Sequence, residues 1–423
     1  MDNNTYYISV ELNNNSFKVI NSLTKEIEIM NKSKKRQLER CFDMLSYAGH
    51  DSSNESLQDY LIQFNKWNDE LTNNEIVSIN WTNYKNNFIA VQNTFKRLST
   101  GRPERNKKQK KFFSYKDHKP ISFKEYQWMQ KCNRGGIIYS QSGTYQSYGY
   151  DYNMFYLRIM ANKRFIIPFK EGKEVIYDEL PNDLQVGFYH AIISSTHADI
   201  KKVFGFSKDN VYSHSSLQFA IRHADTFNIS IKLVHDGKPN AYVYDNDSLI
   251  SGYETFGHYF DKMLKLRREF PKNALIEYLC SSVHGHVGRL NVRYRTYDDI
   301  ISEKLEVGLS EKYDFIEVGM SSRIDDSGNL IDIYELLDSK QPYSLNVRLT
   351  AFLTAYGRNK LARLAMKDID YCIRCYVDCC VFTKEQTFDK KLDAVLDITT
   401  IKLENKTTGL IKFTKQSYEK FTL

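Results

Sequence analysis

Proline and cysteine are both scarce, at seven residues each in 423, and no run approaches the ~18 apolar residues that a membrane-spanning helix needs. With 19 glycines and 26% charged residues, the bulk of the chain reads as globular rather than low-complexity. The opening MDNNTYYISVEL has neither a basic segment nor an apolar one of the kind that directs secretion. A soluble intracellular protein is expected. Four of the cysteines crowd at Cys372, Cys375, Cys379 and Cys380, unlike the evenly spaced framework of a secreted disulfide protein, so reduced thiols are expected. On an alternating strand they would point to opposite faces, which argues against a zinc site. The chain also lacks a P-loop, a nucleophile elbow and an H-E-x-x-H pair.

What is present is enough apolar sequence, 41%, for two or three subdomains in a chain longer than one core usually serves. The 59 Lys and Arg against 52 Asp and Glu leave +7, a surplus compatible with a polyanionic partner. Its distribution is uneven. Residues 96 to 119, KRLSTGRPERNKKQKKFFSYKDHK, hold ten basic residues and two acids beside Phe112, Phe113 and Tyr115. Cations neutralise phosphates and rings stack on bases, so this stretch suits a nucleic-acid arm with Lys107, Lys108, Lys110 and Lys111 at its centre; a solvated linker is the plainer alternative.

Strand-like sequence opens the chain at Tyr6 to Leu12, and apolar residues at helical spacing follow around Ser56 to Trp67. Alternating sequence ends in YGYDYNMFY. Two helical patterns, Tyr259 to Phe270 and one starting at Pro271, form an expected hairpin, since proline suits the first position of a helix. Residues 290 to 345 read as charged, and as loop-like around RIDDSGN (323–329). Val347 to Met366 reads as a core-facing helix and Tyr371 to Phe382 as a strand pattern.

Asp151 ends one strand-like segment, and Asp378 lies in another far along the chain. Two such carboxylates, brought together, can hold a pair of Mg²⁺ ions for nucleotidyl transfer. The surrounding residues make this specific. Asp151-Tyr152-Asn153-Met154-Phe155-Tyr156-Leu157-Arg158-Ile159 is similar to D-x-x-S-L-Y-P-S-I, the first palm motif of family B DNA polymerases. Upstream, Arg134-Gly135-Gly136-Ile137 resembles the Y-x-G-G segment of their protein-primed group, without its Tyr. Glu277-Tyr278-Leu279-Cys280-Ser281-Ser282-Val283-His284-Gly285 resembles the fingers motif K-x-x-x-N-S-x-Y-G, with Glu277 in place of its Lys. Arg374 to Phe382 resembles Y-x-D-T-D-S in two registers. One keeps the motif's first Asp as Asp378 and turns the second into Cys380; the other, preferred for its downstream Val381-Phe382-Thr383, makes Asp378 the essential Asp. Lys402-Leu403-Glu404 and Lys415-Gln416-Ser417-Tyr418 resemble the K-x-E and K-x-Y pair that grips primer.

The order of these motifs implies an α+β fold. It would have a right-hand polymerase palm, an antiparallel sheet backed by helices, with an inserted helical fingers hairpin. The expected organisation is an N-terminal domain of unknown role (1–95), a basic arm (96–125), palm (126–200), fingers and insertion (201–285), palm again (286–400, with an insertion at 290–345) and a thumb-proximal stub (401–423). The resemblance implies Asp151 and Asp378 as catalytic ligands of Mg²⁺, with Mn²⁺ as the alternative. It also implies that Tyr156, Phe155, Arg268, Lys272 and Ser281 meet the nucleotide. Gly135, Gly136, Gly285, Lys402, Lys415 and Tyr418, with the basic arm, would contact DNA. Partners would be primer-template DNA, dNTPs and a priming protein. A catalytically inactive homologue that binds nucleic acid or a replication partner is the alternative, favoured by Glu277 and the single Asp of the last palm motif.

Overall fold

The computed structural model describes residues 6–13, 16–21, 27–31, 57–74, 78–84, 87–99, 113–324, 330–386, 394–403 and 413–422. The chain divides into two units, residues 1–111 with 256–286, and residues 112–255 with 287–423. In the first, Tyr6–Asn13, Ser16–Asn21 and Ile27–Asn31 form an antiparallel meander. Helices Leu57–Thr72 and Asn87–Ser99 bury apolar residues at helical spacing, Phe64, Trp67 and Leu71 on one, Val91, Phe95 and Leu98 on the other. Phe95 meets Phe256 and Tyr259 of helix Gly252–Glu269, with ring centroids 5.7 and 5.6 Å away.

The next helix, Ala274–Val287, does not start at Pro271. Pro271 sits in the connecting turn, and Asn273 supplies the cap, its Oδ1 accepting from the backbone N–H of Leu275 (3.0 Å) and Ile276 (3.2 Å). The physical reason is that a side-chain acceptor satisfies helix-end N–H groups, whereas proline only tolerates their absence.

The second unit mixes helices with sheets that are antiparallel except for one short parallel pair. Its largest sheet has six strands: β1 (Ile138–Ser140), β2 (Gly143–Tyr152), β3 (Cys372–Tyr376), β4 (Cys379–Phe382), β5 (Ala394–Leu403) and β6 (Phe413–Thr422), in the spatial order β6-β5-β2-β4-β3-β1. Three helices bear on the site: α1 (Phe155–Met160), α2 (His214–Arg222) and α3 (Thr350–Ala365). α3 backs the sheet, so that Leu361, Ala362, Leu364 and Ala365 share a core with Tyr150, Cys375, Cys380 and Phe382. The same core continues under a five-stranded sheet that includes Gly187–Ser195 and Ala241–Val243, with Tyr189, Ala191, Ala241 and Val243 among its members. At its edge Arg348 and Glu125, both fully buried, form a bidentate pair (2.6 and 2.8 Å), and the Tyr244 hydroxyl donates to Glu125 at 2.7 Å.

The charged segment 290–345 carries a four-stranded sheet of Val292–Arg295, Val307–Gly308, Phe315–Ile324 and Leu330–Asp338, and most of RIDDSGN, where a loop is expected, lies outside the described residues. Leu336 and Leu337 are buried while Val318, Met320 and Leu330 are exposed. Burial on both faces at one end and exposure at the other blurs the alternation that marks a half-buried strand.

Candidate active site

Asp151 lies near the end of β2, flanked on both sides by paired strands. Its register partners are Cys379 on β4 and Val395 on β5. Alternation sends Tyr150 into the core at 1% exposure and Asp151 to the exposed face. Cys379, directly opposite, shares that face, with Cα atoms about 4.5–5.5 Å apart in such pairs.

Asp378 occupies the second position of the two-residue turn that joins β3 to β4, where Tyr376 pairs with Cys379. The turn is tied down on three sides. Val377 N–H donates to the Ile137 carbonyl (3.0 Å), Asp378 N–H to the Tyr376 carbonyl (2.7 Å), and the Asp378 carbonyl accepts from Tyr152 N–H (3.1 Å). Val377 has φ +55°, a left-handed conformation that a β-branched residue adopts only under constraint. Part of that constraint is Gly136, where an added Cβ would lie 2.7 Å from the Val377 Cα. Gly135 and Arg134 are held in turn by the buried Arg358 of α3, whose Nη1 donates to their carbonyls at 2.9 and 3.1 Å.

Asp151, Asp378, Gly135 and Gly136 are thus brought to one end of the sheet. Phe155 and Tyr156 join them, because both rings rest on Gly357 of α3, each 3.1 Å from where a Cβ would stand. Burial pushes the Tyr156 hydroxyl up to about 12, the nearby Asp378 charge adds to that, and Arg358 opposes it. Burial likewise raises the Asp378 carboxyl above the ordinary aspartate range.

One residue of this face is given no role by the sequence motifs. Arg374 is buried in β3, its guanidinium 4.7 Å from the Tyr376 ring and close enough to Cys379 to interact electrostatically. An arginine within the apolar run Cys-Ile-Arg-Cys-Tyr is the signal that could have found it, since a buried charge needs a reason.

The donor set can be tested against Mg²⁺. The ion takes hard oxygens from one or two carboxylates and keeps several waters, which Asp151 and Asp378 satisfy. Cys379 does not, because a soft thiolate is a poor magnesium ligand.

Three of the other expected residues lie farther along the sheet. Lys402 pairs with Thr144 and Thr414, seven residues back along β2 from Asp151 or about 23 Å at ~3.3 Å per residue. Lys415 pairs with Ile401 and Tyr418 with Thr399. Arg268, Lys272, Ser281 and Gly285 belong to the other unit. There Ser281 donates to the Glu277 carbonyl at 3.1 Å, and the Glu277 carboxylate stands 3.8 Å from Arg267. Lys107, Lys108, Lys110 and Lys111 are outside the described residues.

The cysteines depart from simple alternation. A bulge between Cys372 and Arg374 turns Cys372 onto the same face as Cys375, and Cys375 pairs with Cys380. Their sulfurs are in contact, 3.6 Å for Cys372–Cys375 and 3.8 Å for Cys375–Cys380, buried under α3. Three thiols converge, and Cys379 faces the other way. Among the described residues no fourth metal-binding side chain joins them, and a structural zinc site takes four ligands.

The six-stranded antiparallel sheet, backed by α3 and followed at the end of β2 by α1, can be compared with known proteins. No family model matches the chain, and no curated protein matches it. Solved structures do. The fold is similar to that of phi29 DNA polymerase. The complex of phi29 DNA polymerase with primer-template DNA and incoming nucleotide substrates shares 13% identity and a TM-score of 0.50, over 96% of this chain and 75% of that one. Its complex with single-stranded DNA, and its post-translocation binary complex with primer-template DNA, each share 12% identity and a TM-score of 0.52 over the same fractions. At these identities the likeness to phi29 DNA polymerase is one of fold.

Proposed function

We propose that the chain is a template-directed DNA polymerase of the protein-primed family B type, adding dNTPs to a primer by metal-assisted nucleotidyl transfer. The observation that carries this reading is the pairing of β2 with β4, which sets Asp151 beside the turn bearing Asp378, with Tyr156 and the Gly135–Gly136 segment at the same end. Asp151 and Asp378 would hold Mg²⁺ or Mn²⁺. A bound ion supplies activation of the primer hydroxyl and neutralisation of charge on the transferring phosphate. Tyr156, fixed on Gly357, would form the floor that selects deoxyribose, and the Gly135–Gly136 backbone would lie along template. On this reading the helices on either side of Pro271 are fingers that carry Arg268, Lys272 and Ser281 to the nucleotide, the six-stranded sheet is the palm, and Lys402, Lys415 and Tyr418 hold primer. A priming protein is the implied partner.

A second reading, a homologue that binds nucleic acid without catalysis, rests on one observation: the side chain opposite Asp151 is Cys379, a thiol where a second oxygen ligand would be useful. Primer extension with Mg²⁺ and with Mn²⁺ separates the two. Incorporation that disappears in Asp151→Asn supports the enzyme. Salt-sensitive DNA binding with no incorporation under either metal supports the binding module.

A further inference from the structure

Three helices of the second unit enclose a cleft of about 210 Å³ that the candidate metal site does not use. At a water's share of about 30 Å³, it holds about seven waters, room for more than one phosphate group. Its wall carries Arg158 from α1, Arg222 from α2, and Lys360 and Arg363 from α3, with Gln218 and Asn359 as neutral donors. No carboxylate lines it among the described residues.

The cations are positioned by the fold. Arg158 Nε donates to the Asn153 carbonyl at 3.1 Å, which ties it to the segment leaving β2. Lys360 Nζ stands 4.6 Å from the centroid of Tyr152, the neighbour of Asp151, and 5.7 Å from that of Phe155. Asn359 Nδ2 donates to the Ser215 carbonyl at 2.8 Å and so joins α3 to α2. Arg222 and Arg363 are exposed, and both act to hold the His223 imidazole below its usual range, after burial itself. Their positive fields therefore overlap. Four like charges round one small cleft repel one another, and a polyanion relieves that repulsion while the guanidinium forks donate paired hydrogen bonds to phosphate oxygens.

We propose that this cleft binds the phosphate backbone of a nucleic-acid strand running beside the end of β2. Binding there does not require catalysis and holds for either reading of the candidate active site. A nucleotide triphosphate has the same chemistry, so the test has two arms. The full-length chain, without divalent metal, is titrated into a labelled single-stranded oligonucleotide across a salt series, and separately into inorganic tripolyphosphate. Arg222→Ser/Arg363→Ser should weaken oligonucleotide binding about tenfold and flatten its log–log salt slope by about 1.4, at ~0.7 for each phosphate no longer neutralised. Arg222→Lys/Arg363→Lys should restore most of the slope, which separates charge from misfolding. Asp151→Asn, which removes no cation from the cleft, should not flatten the salt slope, so that loss of incorporation and loss of this cleft are read independently. Unchanged affinity and slope in the Ser double variant would overturn the proposal. Tripolyphosphate binding that disappears in that variant, with strand binding unaffected, would overturn the strand and assign the cleft to a nucleotide.

Discussion

Cys379 stands directly across the β2–β4 pair from Asp151, on the same exposed face of the sheet. On the polymerase reading, a thiol there would limit the site for a hard cation and would leave Asp378, one residue earlier in the turn, as the second oxygen donor. Cys379→Asp would add a carboxylate opposite Asp151. The expected result is about tenfold tighter Mg²⁺ dependence of incorporation, or ~1.4 kcal/mol in metal binding. Titrating Mg²⁺ in primer extension, wild type against variant, checks it.

Gly136 leaves no room for a side chain against the turn that carries Asp378. Gly136→Ala places a Cβ 2.7 Å from the Val377 Cα, where backbone must yield rather than a flexible side chain. Overpacking of this kind costs about 1–3 kcal/mol. Thermal unfolding should show that loss, and metal affinity should fall with it. Gly135→Ala, with nothing within 4 Å of its added Cβ, should do neither.

The Arg348–Glu125 pair is an anchor of the second unit. Arg348 also donates to the Lys119 and Pro120 carbonyls at 2.9 and 2.8 Å. Arg348→Met would strand a buried carboxylate and should cost about 3–5 kcal/mol. Arg348→Met/Glu125→Leu should recover much of that, because the uncompensated charge is removed. Urea denaturation of the two variants distinguishes the cases.

Acid should destabilise the second unit through its buried histidines. His118, its Nε2 3.3 Å from Thr255 Oγ1, is depressed to about 3 by burial and by the Arg348 charge. His214, accepting from Gly187 N–H, is depressed to about 4 by burial. In both cases the unfolded chain binds the proton more readily. Stability is therefore complete above the unfolded value of about 6.5 and falls as pH drops below it, by up to roughly 1.4 kcal/mol per pH unit for each histidine. Asp378 acts oppositely: with its carboxyl raised, its contribution is present below the unfolded value and is lost as pH rises through the folded one. Denaturation midpoints between pH 7 and 5 should fall, with a shallower slope in His118→Gln.

Much of the scaffold was legible. Tyr-Gly-Tyr-Asp-Tyr alternates as a strand with one buried face does, and Leu349, Phe352, Leu353, Leu361 and Leu364 recur at the spacing of a core-facing helix; β2 and α3 are those elements, Leu349 standing just ahead of α3. The four-stranded sheet over residues 292–338 was not, because Val318, Met320 and Leu330 put apolar residues on an exposed face. Neither was the convergence of Cys372 with Cys375 and Cys380, which depends on a bulge that no residue type announces. For the candidate site, a strand-end aspartate and a turn aspartate could be read directly. Which side chain faces Asp151 could not, since it depends on the length of the turn at Val377 and Asp378 and on a pairing across more than two hundred residues.

On the polymerase reading, Asp151 and Asp378 share a divalent-cation site, and Mn²⁺ binding followed by electron paramagnetic resonance tests this without any need for turnover. Wild type should quench the free-ion signal stoichiometrically, and Asp151→Asn and Asp378→Asn should each weaken that binding by tenfold or more, on the order of 1.4 kcal/mol. Affinity unchanged by both substitutions would refute the shared site.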